Sequence, residues 1–413
     1  MSLLQVLKEH ADFRKLFTGT LISLSGSGVS VIALPLAAAT YLGASPIQLG
    51  ALGAATFLPN LLLGLHAGMW ITRLSFRRIL VLADLLRFLL LGSIPVSALT
   101  GTLSMGQLYA VVFLAGTCAL FESVAAESFI QILVPPLSRN GANSAMAASV
   151  AAVSTAGSAL GGYLVQLLSA PSAIALDALS FLASAIWKSR IRSTGSRSAY
   201  QMSASGRTPS TTAGFKILFR HPTMRSVMSA AIVGAFGGQM QAVLVVLYLV
   251  RDLHLNAATV GVVVASGGLA GLVSAIVASW IIHKLGIGPT FVVGMLIASI
   301  SGVVFAVAGG GGWLLLVTLL VAQVLRGAGP SLFSISQQGL RQSLIPLDLL
   351  PQALGTWRLL VYGVQPVGAL LGGILGEVLG LRGAFLVSST VMLAGTATAY
   401  ISPLRRLNLP SAQ

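Results

Sequence analysis

The sequence predicts an all-α integral membrane protein, with twelve transmembrane helices in two related six-helix bundles. Three observations predict this class: an apolar composition, a series of long apolar runs, and an internal repeat. Hydrophobic residues make up 55% of the 413 residues and charged residues only 8%, whereas soluble domains carry about 25% charged residues. Because so few polar residues remain to face water, lipid must be the solvent for most of the surface.

The second half of the chain repeats the first half at a constant offset of 211 residues, without a gap. Identical residues match at this offset: His10 with His221, Gly50 with Gly261, Pro135 with Pro346, and Gly161-Gly162 with Gly372-Gly373. Because each copy is almost wholly apolar, the repeat indicates two membrane bundles joined head to tail, rather than a solenoid or a propeller.

Runs of about 20 apolar residues are long enough to cross a bilayer as helices. Twelve such runs, called spans one to twelve, are predicted at 16–42, 47–71, 79–99, 104–133, 142–168, 171–187, 223–250, 258–282, 289–309, 312–340, 351–379 and 383–402. A segment rich in Ser, Thr, Gly and Arg separates the two sets of six and predicts a flexible linker, with a short surface helix at 212–219. The predicted domains are residues 1–187, a linker at 188–222, and residues 223–413.

The basic residues predict the orientation of the spans. The formal net charge is +15, but the bases form no single patch of the kind that binds nucleic acid. Nearly all of them, with Lys188 counted among them, fall on one side of the predicted spans. The positive-inside rule therefore places both termini and the linker in the cytoplasm of a multi-pass inner (plasma) membrane protein, which we expect to be a monomer in the lipid bilayer.

The sequence contains no recognisable catalytic or metal-binding motif. Its single cysteine, Cys118, allows neither an internal disulfide nor a CxxC metal site. No GxxxxGKS phosphate loop and no Ser/His/Asp constellation is present. We therefore expect no cofactor, no metal and no enzymatic activity.

Local motifs resemble those of the major facilitator superfamily of transporters. The segment Gly64-Leu-His-Ala-Gly68-Met-Trp-Ile-Thr72-Arg73-Leu-Ser-Phe-Arg77-Arg78 is similar to the signature loop between spans two and three of that family. The resemblance implies that small residues let helices touch there and that basic residues hold the cytoplasmic gate closed. Thr72 stands where the family has an acid, which removes a charge contact at a helix end.

Further motifs resemble one branch of this superfamily, which contains macrolide efflux proteins and enterobactin-type siderophore exporters. Ala83-Asp84-Leu85-Leu86-Arg87 in span three and Ala175-Leu-Asp177-Ala-Leu-Ser-Phe181 in span six carry this likeness. Gly157-Ser158-Ala159-Leu160-Gly161-Gly162 is similar to the fifth-span antiporter motif, with Ser158 in place of proline. The resemblance implies gating roles for Arg87, Gly157, Gly161 and Gly162.

Carboxylates inside the predicted spans are candidate proton-coupling groups, because an intramembrane charge is costly unless it is paired or hydrated. Glu122 and Glu127 in span four are separated by about 140° around the helix, and Glu122 is the favoured of the two. Asp84 and Arg87 are three residues apart and share a face. We interpret them as a structural pair, with proton transfer by Asp84 as the alternative. We interpret Asp177 as a structural cap or a tie between helices, with a substrate ligand as the alternative.

Arg326, near the middle of span ten, is the main candidate for substrate binding. A mid-membrane arginine stays charged and therefore needs an acid, water or an anionic ligand. Carboxylate- or catecholate-bearing substrates and internal charge compensation both remain open. Other polar and aromatic side chains offer further contacts to a substrate, namely Gln323, Gln239, Gln241, Asn60, Tyr248, Gln337, Trp357 and Tyr362.

Together these patterns predict a proton-coupled exporter of a small amphipathic molecule, such as a drug, a macrolide or a siderophore, working by alternating access. An uncoupled facilitator or flippase of lipids or lysolipids is the alternative that would need no coupling acid. An importer is the alternative in the direction of transport, and the resemblance to exporters argues against it. A scaffold or receptor that transports nothing is the alternative from a different class, and the duplication of six spans argues against it.

Overall fold

The computed structural model describes residues 7, 9–71, 75–135, 139–193, 211–220, 222–345 and 350–406. Within these ranges the chain is helical and forms no strand. It divides into two compact units. One comprises Met1–Ala44, Ala55–Arg207 and Asn256–Gly261, and the other comprises Ser45–Ala54, Thr208–Leu255 and Val262–Gln413.

The first copy of the repeat contains six long helices. They are α1 (Ala11–Tyr41), α2 (Pro46–Ile71), α3 (Phe76–Leu99), α4 (Met105–Leu133), α5 (Arg139–Leu168) and α6 (Ala170–Ser189). Short connections separate them, and glycines with positive φ occupy two of these, at Gly43 (58°) and Gly101 (69°), a conformation that glycine adopts without strain.

A short helix from the linker and the second copy follow. They are α7 (Thr211–Arg220), α8 (Pro222–Leu247) with a π-helical turn at Tyr248–Asp252, α9 (Ala257–Leu285), α10 (Ile287–Val307), α11 (Gly312–Leu344), α12 (Leu350–Gly363), α13 (Gln365–Val378), α14 (Gly380–Ile401) and a 3₁₀ turn at Pro403–Arg406. The surface helix predicted in the linker is present as α7.

Span eleven is the one predicted span that the structure divides into two helices, α12 and α13. Pro366 occupies the second position of α13. A proline cannot donate a backbone hydrogen bond and its ring clashes with the preceding turn, so the helix breaks before it. Eleven segments of the described chain are long and apolar enough to cross a membrane, and α12 and α13 together supply one of them, Thr356–Val378. The 30-residue α5 lies at predicted span five.

The duplication seen in the sequence is confirmed in the packing within each unit. In the first copy α1 packs against α5 and α6, and α3 packs against α4 and α6. In the second copy α8 packs against α13 and α14, and α10 packs against α11 and α14. The 211-residue offset converts each of the first pairings into one of the second.

Each copy buries its core residues at equivalent positions. One cluster includes Phe13, Leu16, Leu80, Phe129 and Val134. The other contains their equivalents at the same offset, Met224, Val227, Phe291, Leu340 and Ile345. The side chains differ, but both sets are apolar and close-packed, so the two clusters hold equivalent helix ends together.

Glycines permit the closest helix crossings. A Cβ atom on Gly157 of α5 would lie 2.6 Å from the Gly28 Cα of α1, and one on Gly161 would lie 2.9 Å from the Val29 Cα. The equivalent crossing in the second copy puts a Cβ on Gly372 2.8 Å from the Met240 Cα. Small residues let helix backbones approach in this way inside membranes.

Candidate functional site

Four charged side chains from three helices form a closed network inside the first copy. Lys188 of α6 lies between two carboxylates: its Nζ donates to Asp84 Oδ2 of α3 at 2.9 Å and to Glu122 Oε1 of α4 at 2.6 Å. Arg87 of α3 binds the other oxygen of Glu122, Oε2, through Nη1. Two acids and two bases leave the network formally neutral. We call these four residues the charge network.

Arg87 has further contacts that fix its guanidinium group. Its Nε donates to the Ala115 carbonyl oxygen at 3.3 Å, and its Cζ lies 5.1 Å from the centre of the Phe181 ring, within the range of a cation–π contact. The arginine therefore connects α3 with both α4 and α6. The predicted Asp84–Arg87 pair does not form: although three residues apart on one helix, each binds a partner from another helix.

The local sequence makes room for the buried lysine. Gly19 of α1 lies against the Lys188 stem, and a Cβ atom there would sit 2.8 Å from Lys188 Cγ. Ser184, one turn before Lys188, places its Oγ 2.7 Å from Asp84 Oδ2 and 2.8 Å from the Gly19 carbonyl oxygen. The second oxygen of Asp84, Oδ1, is buried without a hydrogen-bond partner in the described part of the chain.

Accessibility separates the members of the charge network. The Lys188 and Asp84 side chains are completely buried, whereas 13% of the Glu122 side chain and 10% of the Arg87 side chain are exposed. Glu122 and Arg87 are thus the two members of the charge network with exposed surface. Removing one member of a buried ion pair leaves an uncompensated charge, at a cost of about 3–5 kcal/mol.

The second copy contains no such network at the equivalent positions. The residues Asp84, Arg87, Glu122, Ser184 and Lys188 correspond at the 211-residue offset to Met295, Ala298, Phe333, Gly395 and Ala399. These equivalents pack as an apolar cluster: Met295 and Ala399 are buried together and Phe333 packs against them. The same helix arrangement is thus held without charges, so the fold does not require the charge network.

Asp177 forms a separate tie between α6 and α1, as the sequence predicts. Ser30 of α1 donates to Asp177 Oδ2, and Ser180 lies 3.4 Å from Oδ1. Gly26 provides the space, because a Cβ there would lie 2.5 Å from Asp177 Oδ1. Asp177 forms no ion pair with the described residues.

Arg326 and Gln323 of α11 are two polar residues of the second copy whose side chains lack polar partners among the described residues. Arg326 is partly buried and forms neither an ion pair nor a hydrogen bond with the described residues. Gln323, three residues earlier, is completely buried, and both its Oε1 and Nε2 lack a partner there. Gln337, further along the same helix, is also buried, with an unpartnered Oε1.

Several other candidate substrate ligands bind the protein itself. Gln241 is buried and its Oε1 accepts a hydrogen bond from Ser301 at 3.1 Å. The buried Tyr248 donates its hydroxyl to the Ala308 carbonyl oxygen at 2.9 Å. Trp357 is buried beneath Arg341, whose Cζ lies 4.4 Å from the ring centre.

The remaining candidates occupy mixed environments. Asn60 and Gln239 are partly buried, while Tyr362 and the coupling candidate Glu127 are exposed. Glu127 is therefore not part of the charge network, and the two carboxylates of α4 face different surroundings.

Some candidate gating residues contact other parts of the protein, and others are exposed or have open space beside them. Arg77 donates through Nη1 to the Ile191 carbonyl oxygen at 2.8 Å, just beyond the end of α6, while Arg78 is exposed. Gly64 and Gly68 lie within α2, where Gly64 has open space on its Cβ side. Thr72 and Arg73 lie outside the described residues. Gly162 packs against Gly261, with a Cβ-to-Cα distance of 2.5 Å.

Lys188 is the functional candidate that the sequence interpretation missed. Its place after an apolar run led to its assignment as the first cytoplasmic linker cation, but α6 continues to Ser189 and buries it. A signal was present in the spacing. Asp177, Ser184 and Lys188 are seven and four residues apart, a helical repeat that places three polar residues on one buried face of α6.

The described residues contain no group of His, Cys, Asp and Glu that could hold a metal ion.

Comparisons with known proteins identify the family. The family model for the Major Facilitator Superfamily matches residues 16–318 and 227–411. A multidrug efflux pump, Tap, from Mycolicibacterium fortuitum is 25% identical over 402 residues, which cover 94% of this chain and 95% of that protein.

Solved structures of transporters share the fold. The nucleoside transporter NupG superposes with a TM-score of 0.76 at 11% identity, covering 94% of this chain and 98% of that one. A bacterial homologue of the iron transporter ferroportin, in an inward-facing state, gives 0.72 at 18% identity, covering 97% and 99%. The family and the efflux-pump relative indicate a multi-pass membrane transporter of small molecules, not an enzyme. The chain belongs to the Major Facilitator Superfamily.

Proposed function

We propose that this protein exports a small amphipathic organic molecule across the inner membrane in exchange for protons. The observation that carries the proposal is the charge network Asp84–Lys188–Glu122–Arg87, present in one copy of the repeat and replaced by Met295, Ala399, Phe333 and Ala298 in the other. Because a buried charge network is at best a weak source of stability, a network that the fold does not need is best explained by function.

Glu122 is the member that we assign to proton binding. It bridges Lys188 and Arg87, and it is one of the two members with exposed surface. Adding a proton to Glu122 would cancel the charge that both bases face, so the contacts of α4 with α3 and α6 would weaken together. A proton can shift the equilibrium between two conformations only if its affinity differs between them, and a change in these two contacts would supply that difference.

Asp84 and Lys188 would hold the remainder of the network while Glu122 titrates. With Glu122 neutral, Lys188 still faces Asp84 at 2.9 Å, whereas Arg87 keeps only the Ala115 carbonyl and the Phe181 ring. Arg87 is therefore the base expected to move when a proton binds. Alternating access by the two six-helix copies would turn this local change into transport.

Export is supported by the relative Tap, described as a multidrug efflux pump, and by the resemblance of spans three, five and six to exporters. The substrate class that we propose is correspondingly broad: a drug, a macrolide or a siderophore. The positive-inside pattern supports cytoplasmic termini. Export would therefore carry the substrate from the membrane side that holds the two termini to the opposite side.

The test is transport in proteoliposomes with an imposed pH gradient. A panel of fluorescent amphipaths (ethidium, Nile red and fluorescein) would be followed together with internal pH. We expect the wild-type protein to move at least one dye in a direction set by the gradient, and Glu122→Gln to abolish this coupling. Glu127→Gln, on the exposed face of the same helix, and Glu377→Gln, an exposed carboxylate of α13, are the matched controls.

Two results would overturn the proposal. If wild-type transport ignores the pH gradient, the protein is an uncoupled facilitator. If Glu122→Gln remains coupled while Glu127→Gln does not, the proton site lies on the other face of α4 and the charge network has a different role.

A further inference from the structure

No described acid of its own copy of the repeat pairs with Arg326. Beyond residue 222 the sequence contains only three acids, Asp252, Asp348 and Glu377. Asp252 ends the π-helical turn after α8, and Glu377 is exposed at the end of α13. Asp348 lies outside the described residues, in the connection between α11 and α12. Neither of the two described acids forms an ion pair with Arg326, which lies near the middle of α11.

A guanidinium group at mid-membrane depth needs a counter-charge or hydrogen-bond acceptors, since an arginine remains protonated in proteins and its burial is costly. The charge network shows how this chain treats a buried arginine when no ligand is involved. Arg87 receives a carboxylate, a carbonyl oxygen and an aromatic face from its own unit. Arg326 receives none of these from the described residues.

Gln323 adds an unpartnered amide beside this charge. Residues three apart on a helix share a face, and Gln323 is completely buried with both polar side-chain atoms unpartnered. α9 passes close by, because a Cβ on Gly267 would lie 2.9 Å from Gln323 Oε1. A buried amide without partners costs about 1–3 kcal/mol, so its retention here calls for a partner that the protein itself does not supply.

The first copy shows that the helix crossing does not require either side chain. Arg326 and Gln323 correspond at the 211-residue offset to Ala115 and Val112 of α4. The close crossing is still made there, where a Cβ on Gly116 would lie 2.7 Å from the Thr56 carbonyl oxygen. Small apolar residues thus suffice for packing at this depth, and the polar pair is an addition confined to α11.

We infer that Arg326 and Gln323 form a subsite for the anionic group of an amphipathic substrate. This inference rests on the proposed transport function and adds the substrate class to it. The guanidinium group would pair with two oxygens of a carboxylate or phosphate, and the Gln323 amide would donate to the same group. A permanently cationic substrate would be repelled by Arg326, so organic anions and zwitterions are preferred over cations.

The experiment is equilibrium binding to the purified protein in phosphatidylcholine nanodiscs, which requires no gradient. The probes are 1-pyrenebutyrate, a fluorescent amphipathic carboxylate, and its uncharged methyl ester. We expect saturable binding of the acid and much weaker binding of the ester. Displacement by lysophosphatidylglycerol but not by short carboxylates would identify a lipid phosphate as the source of the anionic group, and the opposite pattern would identify a carboxylate.

The variants replace each residue with its counterpart from the first copy. Arg326→Ala should weaken pyrenebutyrate binding at least about tenfold, as expected for a charged hydrogen-bonded pair, and leave the ester unchanged. Gln323→Val should weaken it about threefold, as for a neutral hydrogen bond. Arg225→Ala, which removes an exposed arginine of α8, should bind as the wild type does.

The inference fails if the wild type binds the acid no better than the ester, or if Arg326→Ala retains the full affinity for the acid. If Arg326→Ala does not fold, Arg326→Lys is the substitute, because lysine keeps the charge but cannot pair with two oxygens at once. Unchanged affinity for pyrenebutyrate in both Arg326→Lys and Gln323→Val would also overturn the inference. Binding that depends on Arg326 in a protein that ignores a pH gradient would overturn the proposed proton coupling alone.

Discussion

Lys188 of α6 and Glu122 of α4 form an ion pair of 2.6 Å inside the first six-helix copy. The lysine is completely buried and also binds Asp84 of α3 at 2.9 Å. One side chain thus connects three helices, and its two carboxylate partners would repel each other without it.

Lys188→Ala should destabilise the protein strongly. The change leaves Asp84 buried without a cation, and the expected loss is about 3–5 kcal/mol of unfolding free energy. Cys118, the single thiol, is partly buried, so labelling by a thiol-reactive dye during heating reports unfolding. Lys216→Ala, at an exposed lysine of the linker helix, should leave the melting temperature unchanged, and an equal effect of both changes would contradict the assigned role of Lys188.

Converting the whole site to its counterpart in the second copy should restore stability and abolish proton coupling. The exchange variant carries Asp84→Met, Arg87→Ala, Glu122→Phe, Ser184→Gly and Lys188→Ala. Replacing a buried ionic cluster with packed apolar residues is often neutral or stabilising by about 1–4 kcal/mol. Melting by the thiol assay and substrate-driven proton movement in proteoliposomes measure the two outcomes. Retained coupling in a folded exchange variant would remove the charge network from the mechanism.

Gly157→Ala should weaken the α1–α5 crossing. A Cβ at this position lies 2.6 Å from the Gly28 Cα, and a backbone atom cannot move aside as a flexible side chain can. Overpacking of this kind costs about 1–3 kcal/mol. Gly238→Ala in α8 is the matched control, because its Cβ meets nothing within 4 Å, and alanine is favoured over glycine inside a helix by about 0.5–1 kcal/mol. Melting temperatures of the two variants should therefore shift in opposite directions.

Asp177→Asn should preserve the tie between α6 and α1, whereas Asp177→Leu should lose it. Asparagine keeps an oxygen that can accept the Ser30 hydroxyl, the contact that Asp177 makes through Oδ2. Leucine leaves that hydroxyl without this acceptor, at a cost of about 1–3 kcal/mol. The second copy has Ser388 at the equivalent position, so a carboxylate is not needed by the fold. If Asn destabilises the protein as much as Leu does, the negative charge itself is structural.

The sequence alone predicted the architecture because a lipid environment requires long apolar runs and because the repeat keeps a constant offset. Apolar runs must reach about 20 residues to cross a bilayer, and a duplication keeps its register, so the helix order and the matching of the copies followed from the residue numbers. The superfamily that the motifs of the sequence resemble was confirmed by the family match, whereas the roles of the loop at Gly64–Arg78 and of the glycines near Gly157 stay predictions. Glu122 was favoured over Glu127 from sequence, and that preference stays a prediction.

The partners of the charged residues could be decided only by the tertiary structure. Sequence spacing shows which residues share one helix face, and it suggested Asp84 with Arg87. Spacing does not show which other helix packs against that face. Lys188, about 100 residues from Asp84 in the chain, is therefore predicted from sequence to be a cation of the linker. Helix periodicity and lipid solvation are local constraints, which the sequence shows directly. The pairing of buried charges depends on how three helices pack together, so only the tertiary structure decides it.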